Sequence, residues 1–190
     1  EPNDSDLYEI SVSDGSLRQI TKRQGPDNSP ILSPDGKKIA YTGYDDRYQG
    51  YQVTHLYIMN RDGSNSKMIT KSLDRSVGSP IWSGDGKGVY VSYNDKGNGK
   101  VAYAPVKGKI KLLTNNLGGT SIGRPYSSGS FTVAKDGNIA YTISRPDRPA
   151  DIAISGMKGG APRKITSLND DLFGHKKLAT VEEIWYKSSH

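Results

Sequence analysis

A period of about fifty residues governs this chain. The segment SPILSPDGKKIAYT (29–42) recurs as SPIWSGDGKGVYVS (79–92), and a weaker copy, SFTVAKDGNIAYTI (130–143), lies 51 residues beyond the second. Each unit also contains an apolar run followed by a glycine turn. These runs read DLYEISVSDGS (6–16), HLYIMNRDGS (55–64), KVAYAPVKGK (100–109) and ADIAISGMKGG (150–160). A threonine landmark follows each of them: Gln19-Ile20-Thr21, Met68-Ile69-Thr70, Leu112-Leu113-Thr114 and Lys164-Ile165-Thr166.

The turn chemistry says what the unit is. In Ser33-Pro34-Asp35-Gly36 the proline presets φ near −65° at the second position and the glycine closes the turn, a type I signature. The second copy keeps Asp85-Gly86 with Gly84 in place of proline, and the third keeps Asp136-Gly137. The run after each turn reads Ile39-Ala40-Tyr41, Val89-Tyr90-Val91 and Ile139-Ala140-Tyr141. Consecutive apolar residues in a strand require cover on both faces, which a stack of small sheets supplies. Four short strands at this period make a β-propeller blade rather than the helix pair of a solenoid.

The expected fold class is therefore all-β, a partial β-propeller of four-stranded antiparallel blades. Residues 6–21 supply the last two strands of one blade, and 29–70, 79–114 and 130–166 supply three more. Three and a half blades do not close a ring, since propellers have typically 4–8. Residues 1–166 thus read as part of a larger propeller whose two end faces would otherwise be bare. An edge-to-edge homodimer of the fragment, closing a seven-bladed ring, is the weaker alternative. Residues 167–190 leave the pattern: SLNDDLFGHKKL suits a short helix or irregular linker, and VEEIWYKSSH reads as a further strand.

Composition narrows function. Twenty-two Gly and 12 Tyr against 2 Phe suit turns and strands. With no Cys there is no disulfide scaffold, cysteine nucleophile or thiolate metal site. No apolar run approaches the ~18–20 residues that cross a bilayer, and residues 1–15 are no signal peptide, so no membrane partner is expected and the chain reads as a mature or excised segment. The net charge of +6 is spread along the chain, as on a solvated basic surface, and no nucleic-acid partner is expected.

Antiparallel order sends alternate connections to opposite ends of a blade. The first-to-second and third-to-fourth turns are short. The others read long: 22–29, 43–54, 71–79, 93–100, 115–130 and 144–150. All long loops should emerge on one face, where irregular segments on a rigid scaffold tend to bind ligands. The loop at 43–54 holds Tyr44, Asp46, Arg47 and Tyr48, and the loop at 115–130 holds Arg124 and Tyr126. Tyr and Arg are enriched at recognition surfaces, so these six are the candidates for contact with substrate or with another domain. The plainer reading is a surface hairpin whose rings cover the blade end, with Arg124 capping a carboxylate of the next blade.

Other motifs carry nothing. Gly119-Thr120-Ser121-Ile122-Gly123 matches G-x-S-x-G but lacks the buried strand and helix that a nucleophile elbow needs. Gly97-Asn98-Gly99 leads into a strand rather than a phosphate-binding helix. His55, His175 and His190 have no paired spacing, so no metal and no cofactor is expected.

The repeat S-P-D-G-K-x-I-A-Y-T, followed by L-Y-x-M-N-x-D-G-S and I-T, resembles blades of the Tol-system propeller protein and of prolyl oligopeptidase-family serine peptidases. YTGYDDRYQGYQVTHLYIMN, LDRSVGSPIWS, GGTSIGRPYSSGSFTVA and LATVEEIWYKSSH look like the acylaminoacyl-peptidase and dipeptidyl-aminopeptidase branch. That resemblance implies a parent exopeptidase of short peptides with a propeller before an α/β-hydrolase domain, and residues 167–190 as the linker into that domain. It implies that the propeller gates and helps bind a peptide substrate. The catalytic triad would lie in the absent hydrolase domain, so this chain would be non-catalytic by itself. The Tol-type resemblance implies instead a protein-binding scaffold with no peptidase activity.

Overall fold

In the computed structural model, which describes residues 3–119, 129–157 and 161–189, the repeat becomes a stack of small antiparallel sheets. Half-blade I is the hairpin β1 (Tyr8–Ile10) and β2 (Leu17–Gln19). Blade II holds β3 (Asp27–Leu32), β4 (Lys38–Gly43), β5 (His55–Asn60) and β6 (Lys67–Met68), paired in sequence order. Blade III repeats this with β7 (Val77–Trp82), β8 (Gly88–Asp95), β9 (Asn98–Pro105) and β10 (Lys111–Leu117). Blade IV follows with β11 (Phe131–Val133), β12 (Ile139–Arg145), β13 (Arg148–Ser155) and β14 (Arg163–Lys164). One helical turn, α1 (Asp170–Phe173), comes after them.

The first turn of each blade is built as its sequence requires. The Ser33 hydroxyl donates to Asp35 Oδ1 (2.6 Å) and accepts from the Lys38 N–H (2.9 Å), while Asp35 accepts from the Lys37 N–H (3.1 Å). Ser83, Asp85, Lys87 and Gly88 repeat the set at 2.7, 3.0 and 3.1 Å. Gly36 and Gly86 both sit at φ 68°, where any side chain would be strained. In blade IV, Ala134 stands in the serine position, and only the bond from the Asn138 N–H to Asp136 (3.0 Å) remains. The first strands of II and III share an irregularity as well: Ser29 and Ser79, each before a proline, take φ 53° and 50° at a register break.

Both faces of the middle strands are covered, as the consecutive apolar residues demand. Ala40 and Ile58 of blade II pack with Val77, Trp82, Val89, Val91 and Ala104 of blade III. The next residue along β4, Tyr41, turns the other way and joins Leu7 of half-blade I. Likewise Tyr90, between Val89 and Val91, packs against Phe131, Ile139, Tyr141 and Ala153 of blade IV. Hydrogen bonds stitch the faces together: Trp82 Nε1 donates to the Ile31 carbonyl (3.1 Å), and the Tyr90 hydroxyl donates to the Gly137 carbonyl (3.4 Å). Blades III and IV are also fused into one sheet through the single pair Leu117–Ile143. Strand β11 is only three residues long, so the far end of the β12 edge is left for β10 to occupy.

Three expectations are corrected. The connections 93–100 and 144–150 are tight two-residue hairpins, not long loops, because β8–β9 and β12–β13 run into them. Lys96 (φ 53°) and Gly97 (φ 75°) form the left-handed pair that matches strand twist. The strand expected over VEEIWYKSSH is absent from the described residues: 176–189 have no regular structure and are largely exposed. A lone strand leaves its backbone groups unpaired, and no strand among the described residues pairs with this segment.

Candidate ligand-binding face

The loop 44–54 is held down by residues from the preceding connection. The Gln24 carbonyl accepts from the Asp46 N–H (3.0 Å), and Gln24 Nε2 donates to the Tyr48 hydroxyl. Within the loop, Asp46 Oδ1 accepts from the Tyr48 N–H (2.8 Å) and Gln52 Nε2 (2.6 Å), while Gln52 Oε1 accepts from the Arg47 N–H (2.7 Å). Asp46 therefore shapes the loop rather than reaching outward. The Arg47 side chain is exposed and has no hydrogen-bond or ion-pair partner among the described residues.

Arg23 anchors the base. Its guanidinium pairs with Asp27, whose side chain is fully buried, and reaches Asp45 Oδ1 (3.4 Å). It also lies 4.2 Å from the centroid of the Tyr57 ring, a cation–π contact, and Tyr57 stacks on Tyr41 with centroids 5.3 Å apart. Burial pushes the Asp27 carboxyl up from its ordinary range, with Arg23 opposing. Burial likewise raises the Tyr57 hydroxyl, which is enclosed and has no hydrogen-bond partner among the described residues. Gly43 lies so close to Arg23 and Asp27 that a Cβ there would collide with both.

The threonine landmark explains His55. The N–H of Leu7, Leu56 and Ile152 donates to the hydroxyl oxygen of Thr21 (2.9 Å), Thr70 (2.9 Å) and Thr166 (2.8 Å), always across 14 residues. In half-blade I and blade IV the residue before that N–H is an aspartate that accepts the threonine proton: Asp6 (2.9 Å) and Asp151 (2.8 Å). In blade II the position is His55, with Nδ1 3.3 Å from Thr70 Oγ1. Burial holds the His55 imidazole below its ordinary value, so it is neutral near pH 7.

These elements enclose a cleft of about 260 Å³, lined by Tyr44, Asp45, Arg47, Tyr51, His55 and Tyr57 among others. Of the six candidates from the sequence, Tyr44, Asp46, Arg47 and Tyr48 share this one loop. Tyr44 and Arg47 line the cleft, whereas Asp46 and Tyr48 brace the loop beside it. Arg124 and Tyr126 lie outside the described residues. Sequence reasoning missed Arg23, Gln24 and His55; the 15-residue spacing from Thr70, matching Asp6–Thr21 and Asp151–Thr166, was the signal for His55.

No family model matches the chain. Dipeptidyl-peptidase 5 of Porphyromonas gingivalis is 24% identical over 188 residues, which cover 97% of this chain and 26% of that protein. Dipeptidyl-peptidase 5 of Trichophyton schoenleinii is 31% identical over 183 residues, covering 82% of this chain and 25% of its own length. The chain thus spans about a quarter of the length of the curated relatives it matches. Among solved structures, an acylaminoacyl peptidase superposes with a TM-score of 0.65 at 19% identity, over 90% of this chain and 24% of its own. TolB from Acinetobacter baumannii superposes at 0.57 and 21% identity, over 85% of this chain and 37% of its own. At these identities the structures show a shared fold. The chain is a run of propeller blades similar to those of prolyl oligopeptidase-family peptidases and of TolB.

Proposed function

We propose that these blades are the non-catalytic propeller segment of a serine exopeptidase acting on short peptides. Their long-loop face would turn toward an α/β-hydrolase domain, gating access and supplying part of the wall against which peptide lies. One observation carries this reading: dipeptidyl-peptidase 5 of Porphyromonas gingivalis aligns with 97% of this chain, which spans only 26% of that protein. The candidate contacts are Tyr44, Arg47 and Tyr48 on the described loop, with Arg124 and Tyr126 in the segment 115–130. The similarity to TolB favours a second reading, a protein-binding scaffold without peptidase activity.

The test uses the full-length parent protein, with Arg47→Ala and Arg124→Ala made separately. Loss of a substrate contact should lower kcat/KM by about tenfold, equivalent to ~1.4 kcal/mol of transition-state binding. Unchanged kinetics in both variants would refute the reading.

A further inference from the structure

We infer that the cleft under the 44–54 loop is a carboxylate subsite, taking one acidic end or side chain of a peptide against Arg47. This rests on the reading of the long-loop face as peptide-binding. Three features of the cleft converge on it: size, charge and the identity of residue 55.

The volume of about 260 Å³ lies below the ~300–1,000 Å³ of ordinary small-molecule pockets. The cleft is a shallow, open site that suits a single side chain or chain end laid against its wall. Tyr44 and Tyr51 give that residue aromatic walls.

Two ordinarily charged side chains line the cleft, and they are not equivalent. Asp45 already faces Arg23 at 3.4 Å, so its charge is partly answered from within the fold. Arg47 has no carboxylate partner among the described residues, and its planar fork suits bidentate grip of a carboxylate. The unanswered charge in the cleft is positive.

His55 keeps it so. At the matching position Asp6 and Asp151 brace their threonines, and an aspartate at 55 would brace Thr70 equally well. It would also put a second carboxylate on the wall and answer Arg47. The imidazole keeps the brace without the negative charge. The Thr70 hydroxyl accepts from the Leu56 N–H and lies 3.3 Å from His55 Nδ1, so the imidazole stays engaged with Thr70 as the aspartates are with their threonines. The histidine at this position therefore removes an anion from the cleft wall.

The experiment is calorimetric titration of the 190-residue chain with a short peptide in three forms. These are the free acid, the C-terminal amide, and a form with its one Glu changed to Gln; the pair that differs identifies which carboxylate is bound. The free form should bind about tenfold tighter than the form lacking the recognised carboxylate. Arg47→Gln should abolish that preference. His55→Asp should weaken the carboxylate form about tenfold while leaving the thermal midpoint unchanged, because the brace is kept. Equal affinity for all three peptides, or a preference that survives both substitutions, overturns the subsite. If peptides bind without preference, the broader reading of the face stands and only the carboxylate assignment falls. If no peptide binds while Arg47→Ala still impairs the full-length parent, the subsite falls and Arg47 acts at the domain contact.

Discussion

The threonine brace can be tested by replacing Thr70 with valine. Thr70 is fully buried, and its hydroxyl oxygen accepts from the Leu56 N–H at 2.9 Å. Valine keeps the shape and removes the acceptor. A buried N–H left without a partner costs about 1–3 kcal/mol, and the extra buried methyl returns roughly 0.8. The net loss should be up to about 2 kcal/mol. For a chain of this size each kcal/mol moves the melting midpoint by about 2–4 °C, so a fall of up to about 8 °C is expected. Urea denaturation followed by fluorescence should show a lower midpoint at unchanged slope, with Trp82, 8% exposed, among the reporters. Thr70→Ser, which keeps the acceptor, should recover most of the loss. Thr166→Val supplies the internal comparison, because the same bond there (2.8 Å) is exposed and water can replace it. If Thr166→Val costs as much as Thr70→Val, or Thr70→Val changes nothing, burial of the brace is not what makes it matter.

Arg23→Met leaves the Asp27 carboxylate buried without its partner and should cost about 3–5 kcal/mol in urea denaturation, whereas Arg23→Met with Asp27→Asn should recover much of that. A double variant weaker than the single would refute the pairing. Hydrogen bonds hold Asp35, Asp62, Asp85, Asp95, Asp151 and Glu9 below their ordinary values, and Asp14 at about 2. The folded chain then binds fewer protons than the unfolded one, so stability should hold above about pH 4.5 and fall as pH drops through these groups, with Asp27 running the other way. The lowered His55 adds a gentler decline beginning near pH 6.5, which His55→Gln should remove from midpoints measured between pH 5 and 7. Trp82→Phe keeps the ring in the II/III core and loses the bond to Ile31, so it should cost about 1 kcal/mol.

The repeat made the architecture legible, because its information is local. Ser-Pro-Asp-Gly specifies its own turn, and Ile39-Ala40-Tyr41 announces cover on both faces without saying what provides it. The hairpins at Lys96-Gly97 and Pro146-Asp147 were lost to composition: both segments are rich in Gly, Pro and charge, and only the pairing of long neighbouring strands shows that they are short. The cleft was half legible. Tyr44 and Arg47 stand out on a loop of mixed charge and rings. Arg23 and Gln24 grip that loop from the connection that precedes blade II, across more than twenty residues, a contact to which no nearby residue points. The terminal VEEIWYKSSH has strand-like residues, but a strand needs a partner.

The cores between blades also bear on how the chain yields to force. Among the described residues each apolar cluster joins only two consecutive blades, so the far end adds no apolar cluster to the near one. Pulled from its ends, such a chain releases length in packets, each of about fifty residues or roughly 170 Å of extended backbone. Blades III and IV depart from that rhythm, since the Leu117–Ile143 pair makes them one sheet. A single shared rung, placed where a short strand left a gap, would turn two steps of the staircase into one.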